Sequence, residues 1–119
     1  MMSGPEKEKS TISIDTFLQS DLRVGTVQAA YPLPNARKPA IVMEIDFGEM
    51  GIKKTSAQIT HHYSPESMVQ TQVVALVNIP PVQIGNIMSE CLVLGAVGSK
   101  GDVVLLRPDQ GVENGREIS

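Results

Sequence analysis

An all-β fold, a small barrel of mostly antiparallel strands, is what this 119-residue sequence predicts. Three observations carry that prediction. Val73–Val77, Cys91–Val97 and Val103–Leu106 are apolar runs of four to seven residues bounded by turn formers, too short for ordinary helices. Ala40–Phe47 alternates, with Ile41, Met43, Ile45 and Phe47 on one face and Val42, Glu44 and Asp46 on the other. Ser64-Pro65-Glu66-Ser67 is a helix start, Ser as cap and Pro in the first turn, between the third and fourth predicted strands. Strands with one short helix in that position follow the OB-fold pattern, a five-stranded Greek-key barrel. A sandwich more usually needs about seven strands and no helix.

Taken in order, residues 1–13 read as a flexible, solvated tail without the apolar core of a signal peptide. Residues 14–119 read as a single domain. Within Ile14–Leu22, Asp15 is placed to cap a short helix that turns Phe17 and Leu18 towards something apolar. One or two turns are not stable alone, so this helix is expected to dock on the body or on a second subunit. In Leu22–Leu33 the apolar positions change face after Gly25, which predicts a bulge or sharp bend there. Tyr31–Pro39 is a proline-punctuated loop, and Gly48–Gly51 closes a hairpin into the more polar strand Ile52–Ile59. After the helix at Ser64 and the strand at Val73 comes Asn78–Glu90, which opens Asn-Ile-Pro-Pro. Two prolines predict a rigid loop held between strands. It carries Val82, Ile84, Ile87 and Met88, and apolar side chains on a stiff loop either plug a barrel end or offer a binding surface.

Val73–Val77 and Leu92–Val97 are apolar at odd and even positions alike, whereas only one face of a barrel strand points inward. The short N-terminal helix covers part of the excess, and a second copy of the chain is expected to cover the rest in a homodimer.

The formal net charge of −3, the absence of Trp and a complement of two Phe and two Tyr count against a broad electrostatic or stacking grip on nucleic acid. The single cysteine, Cys91, excludes a disulfide within the chain, reads as a small buried hydrophobe and points to a reducing, cytoplasmic setting. No run approaches the ~18 apolar residues of a membrane span, so membrane insertion is not expected. His61 and His62, being adjacent, point in different directions and have no supporting ligand cluster; they read as a surface turn, and no metal or cofactor is expected. Gly95, Gly98, Lys100 and Gly101 lack the spacing of a phosphate loop and read as a turn. Glu44 and Asp46 share a strand face and read as solvated. No catalytic constellation emerges, so the chain is expected not to be an enzyme. Arg37-Lys38 and Lys53-Lys54 fall near the two ends of a strand pair, with Arg23 on the neighbouring strand. They read either as an ordinary solvated edge or as a small positive patch beside the Pro-Pro segment.

Six segments carry a resemblance. Asp21-Leu-Arg-Val-Gly25, Ser56-Ala-Gln-Ile-Thr60, Tyr63-x-Pro-Glu66, Val77-Asn-Ile-Pro-Pro81, Ser89-Glu-x-Leu-Val-Leu-Gly95 and Gly101-Asp-Val-Val-Leu-Leu-x-Pro-Asp109 occur in that order. Together, from about Phe17 to Ile118, they resemble the tRNA-binding domain family. The resemblance implies an OB barrel that dimerises through its N-terminal helix and C-terminal segment. It also implies one of two functions. Relatives that act beside aminoacyl-tRNA synthetases bind tRNA by shape. A chaperone branch linked to export binds unfolded or pre-secretory polypeptides.

By the same resemblance, Ser56, Gln58, Asn78, Ile84 and Ser89 line the site. This chain departs from the tRNA-binding pattern at Ser56-Ala57, where that pattern has Ser-Gly, at Val82-Gln83, where it has basic residues, and at Glu90-Cys91, where it has Gly-Met. Positive charge is lost and apolar surface gained. Each lost phosphate contact weakens RNA binding, and apolar residues on a preformed loop suit extended peptide. The expectation is therefore a non-enzymatic, homodimeric chaperone for unfolded or pre-secretory polypeptides, with the export machinery as a further partner. Its groove lies between Asn78–Ser89 and Lys53–Gln58. Val82, Ile84, Ile87 and Met88 take apolar side chains of the client, Gln58, Asn78 and Ser89 either bond the client backbone or fix the loop, and Ser56 lines the peptide site. The alternative is structure-specific tRNA binding through Arg37, Lys38, Lys53 and Lys54.

Overall fold

The computed structural model describes residues 8–84 and 86–119. Its longest strand, β1 (Leu22–Pro32), is flanked by β2 (Ile41–Asp46) on one side and β4 (Gln72–Leu76) on the other. With β3 (Ile52–Ala57) beyond β2 and β7 (Leu92–Val93) beyond β4, the antiparallel order is β3-β2-β1-β4-β7. This sheet curls into a nearly closed OB-type barrel, as the strand pattern predicts. Two ribbons stand outside it: β5 (Val82–Ile84) with β6 (Ile87–Ser89), and β8 (Gly95–Val97) with β9 (Val103–Leu105).

The alternation in β2 does what it promised for Ile41, Met43, Ile45 and Phe47, all fully buried in the barrel core with Val27, Val73 and Ala75. Val42, expected to face outward into solvent, is also fully buried. It forms a second cluster with Leu33 and Ala40, against which Tyr31, Ala36 and Ile87 pack, so the β5–β6 ribbon covers the outer face of β2. The predicted irregularity in β1 is real but displaced. The register shifts between Val27 and Ala29, while Gly25 supplies space: a Cβ there would lie 2.5 Å from Ile45 Cγ2 and 2.8 Å from the Phe47 ring.

Three further expectations are corrected. Asn78–Glu90 contains two short paired strands rather than being a rigid loop throughout, Val82–Ile84 pairing antiparallel with Ile87–Ser89. Cys91–Val97 is divided rather than continuous. Leu94 N–H donates to the Val74 carbonyl (2.9 Å), and at Gly95 the chain leaves the barrel, where a Cβ would meet Val103 and the Val104 carbonyl. The cap of α1 (Ile14–Phe17) is Ser13 rather than Asp15; Ser13 Oγ accepts from Thr16 N–H at 3.1 Å.

No residue of α1 is buried, and Ile14 and Leu18 remain exposed within one chain. Its exit is tied down by Asn78, whose amide donates to the Gln19 carbonyl (2.7 Å) while its oxygen accepts from Asp21 N–H (2.9 Å). α2 (Pro65–Met68) begins at Ser64 as predicted, in a reciprocal capping box with Ser67, and sends Met68 into the core. The C-terminal segment lies along β1, with Val24 N–H donating to Arg116 O and Ile118 N–H to Leu22 O. β4 is buried on both faces within this one chain, so its two-sided apolar pattern needs no second subunit. Of the expected tail, residues 1–7 lie outside the described residues, and 8–13 form neither helix nor strand.

Candidate ligand groove

β3 would be a bare edge of the barrel if nothing covered it, and bare edges invite foreign strands. Residues 89–91 cover half of it. Glu90 N–H donates to Lys54 O (2.7 Å), and Glu90 Oε1 accepts from Lys54 N–H (2.8 Å). Ser89 Oγ accepts from Ser56 N–H (3.2 Å), and the buried Thr55 hydroxyl donates to Cys91 O (2.8 Å). This stitching fixes the β5–β6 ribbon against β3 and leaves a groove beside it.

The groove is made of three adjoining clefts. One of about 140 Å³ is walled by Thr55, Ser56, Val82, Ile84 and Leu92. The next, about 350 Å³, runs along Ser56–Ile59 below Ile84, Leu92 and Val103. The third, about 480 Å³, lies between Leu33, Ala36, Gln58 and Ile84, with Arg37 and Lys38 at its rim. Ile84 lines all three. The far wall of the middle cleft is the β8–β9 ribbon. It is held in place by Leu105 N–H donating to the Tyr63 hydroxyl (2.9 Å) and by His62 Nε2 against Asp102 Oδ2 (2.8 Å). The contact with His62 keeps the Asp102 carboxyl below its ordinary range.

The expected apolar residues are divided by this geometry. Val82, Ile84 and Met88 are exposed, at 52%, 38% and 49%, whereas Ile87 is half-buried against the Leu33–Val42 cluster. Ser56 and Gln58 line the groove. Ser89 is buried and Asn78 lies at the α1 exit, and the hydrogen bonds of both side chains are made within the chain. The four basic residues do not gather: Arg37 and Lys38 rim the groove, while Lys53 and Lys54 stand opposite Ile45 and Glu44 towards the other end of the strand pair. Arg23 is remote from Arg37 and Lys38, held by Asp21 and the Gly115 carbonyl. Sequence reasoning missed Leu92 and Val103 as groove walls; the only signal was the unbroken apolarity of their runs.

A larger cleft of about 630 Å³ lies at the C-terminal segment, walled by Arg23, Glu49, Glu113, Arg116 and Glu117 among others. It contains none of the expected site residues, and its charges are of both signs. Among the described residues no group of three His, Cys, Asp or Glu is placed to hold a metal ion. No described helix is long and apolar enough to cross a membrane.

A family model for the tRNA binding domain matches residues 22–117, the whole barrel and its C-terminal strap. The chain belongs to the tRNA-binding domain family. Among solved structures, chaperone CsaA from Bacillus anthracis is 50% identical with a TM-score of 0.88, covering 92% of this chain and all of that one. The CsaA chaperone protein from Picrophilus torridus is 42% identical with a TM-score of 0.84 at the same coverage. The methionine–tRNA ligase of Methanothrix thermoacetophila is 39% identical over 109 residues, 92% of this chain. The chain spans only 16% of that ligase, so the likeness is to one domain of a longer enzyme.

Proposed function

We propose that this member of the tRNA-binding domain family is a non-catalytic chaperone of the CsaA kind that holds unfolded or pre-secretory polypeptides in the groove beside β3. One observation carries the reading: Val82, Ile84 and Leu92 present exposed apolar side chains around clefts that have an uncharged floor, and Met88 is exposed on the same hairpin without lining them. Apolar side chains on a hairpin already stitched to the barrel take up a client with little further ordering, which favours binding. The likeness to two CsaA chaperones over their full length supports the same reading, and export is the setting it proposes. The working form is a homodimer, in which a second copy covers Ile14 and Leu18 of α1 and Val97 and Val104 of the β8–β9 ribbon, all exposed in the single chain.

Replacing Ile84 and Met88 by Ser removes apolar contact without touching the core. The double variant is expected to keep its unfolding midpoint and to lose most of its ability to suppress aggregation of a heat-denatured client enzyme. Undiminished suppression by the folded variant refutes the groove as the client site.

A second reading has its own observation. Arg37 and Lys38 stand at the rim of the groove, no ion pair reaches them among the described residues, and relatives include tRNA ligases. On this reading tRNA phosphates lie at that rim, and Arg37→Ala with Lys38→Ala weakens tRNA binding and reduces its salt slope by about two.

A further inference from the structure

The register of β2 with β3 dictates which backbone groups of β3 face the groove. Phe47 N–H donates to Gly51 O (3.0 Å), and hydrogen-bonded pairs alternate along an antiparallel ladder. Ile45–Lys53, Met43–Thr55 and Ile41–Ala57 are therefore the bonded pairs, and the amides and carbonyls of Lys54 and Ser56 point away from β2. Glu90 and Ser89 take both groups of Lys54 and the N–H of Ser56. Beyond them the Ser56 carbonyl, directed away from β2, lies on the side of the cleft that Ser56 and Gln58 line. Among the described residues no backbone bond from a loop or turn and no side-chain bond ends on the Ser56 carbonyl.

A second, independent observation falls on the same residue. Ser56 Oγ is shielded from solvent and has no hydrogen-bond partner, the one such side-chain atom among the described residues. Native structures rarely leave a buried hydroxyl unpaired, because its desolvation goes uncompensated. Ser56, Ile84 and Leu92 line both the small and the middle cleft and so form the wall between them. Ile84 and Leu92, which share both clefts with Ser56, are exposed side chains with room to change rotamer.

We infer that the client binds as an added strand: an extended polypeptide pairs with the open edge of β3 at Ser56–Gln58, passes between Ile84 and Leu92, and gives Ser56 Oγ its missing partner. Charge selects this occupant. No charged residue lines either cleft, which suits a neutral main chain and leaves a polyanion uncompensated. Strand addition takes its affinity from the main chain and its selectivity from alternate side chains, a mode fitted to clients of varied sequence. The inference rests on the polypeptide reading of the groove.

The test uses a short fluorescent peptide of alternating valine and serine, and two versions N-methylated on one or the other set of alternate amides. Only one set can face β3. Fluorescence anisotropy is expected to show one methylated version weakened about tenfold and the other close to the parent. Ser56→Ala is expected to weaken the parent peptide several-fold while Cys91 stays protected from thiol reagents, which confirms the fold. Equal binding by all three peptides overturns strand addition; if Ile84→Ser still weakens the parent, the groove reading survives that result. Failure of the parent peptide to bind the wild-type protein overturns both. Binding of tRNA that Ser56→Ala weakens, with no peptide binding, makes the occupant nucleic acid and overturns the inference.

Discussion

Cys91 is 2% exposed, and burial pushes its thiol up to about 11, with Lys53 nearby opposing the shift. The neutral thiol is the form that the fold accepts. Stability from this group is therefore level below the ordinary value of 9.0 and falls as pH rises from there towards 11, because only the unfolded chain ionises freely. At pH 8 the native thiol is expected to resist a disulfide reagent that modifies it at once in denaturant; rapid reaction in the native protein contradicts its placement. Burial of Cys91 follows from its position in an apolar run, and the sequence shows that much. The work of its neighbours is less visible. Asn78 and Ser89 are polar residues in segments of recurring pattern, equally suited to a client or to the chain itself. Their use as internal ties depends on Gln19, Asp21 and Ser56, up to 59 positions away along the chain.

Among the elements, β2, β3, α2 and β4 were legible because alternation, a hairpin turn and a Ser-Pro helix start are local signals. The β5–β6 hairpin was hidden by the two prolines before it, which dominate the reading of the segment although Gly-Asn begins four residues after the second. Its attachment to β3 was not legible at all, since Glu90 acts as an edge cover through a carboxylate bonded to a backbone amide. Glu90→Ala leaves Lys54 N–H without its acceptor and is expected to cost about 0.5–1.5 kcal/mol in urea unfolding. It also speeds exchange of the Lys54 amide hydrogen. Glu90→Gln keeps an acceptor and loses less. An unchanged exchange rate in Glu90→Ala rejects the stitch.

For the whole molecule, the barrel was predictable because five short strands and one helix in this order have few compact solutions. The groove was predictable only in outline: the apolar residues of the hairpin were visible, but Ile87 turning inward and Leu92 and Val103 forming walls are products of packing. The buried β4 removes part of the reason to expect a partner, yet Val97 at 71% and Ile14 at 69% exposure are difficult to leave in water. Sedimentation at micromolar concentration is expected to give the mass of two chains, with Val97→Asp and Leu18→Asp moving it towards one. A wild-type monomer at that concentration rejects the dimer.

Parallel titrations decide whether polypeptide or tRNA is the principal ligand of the groove. An unfolded polypeptide and bulk tRNA are each added to the wild-type protein at low and at moderate salt. The uncharged small and middle clefts predict polypeptide binding that changes little with salt and tRNA binding that is weak at both. Micromolar or tighter tRNA binding with a steep salt slope, beside feeble binding of the polypeptide, contradicts the polypeptide reading.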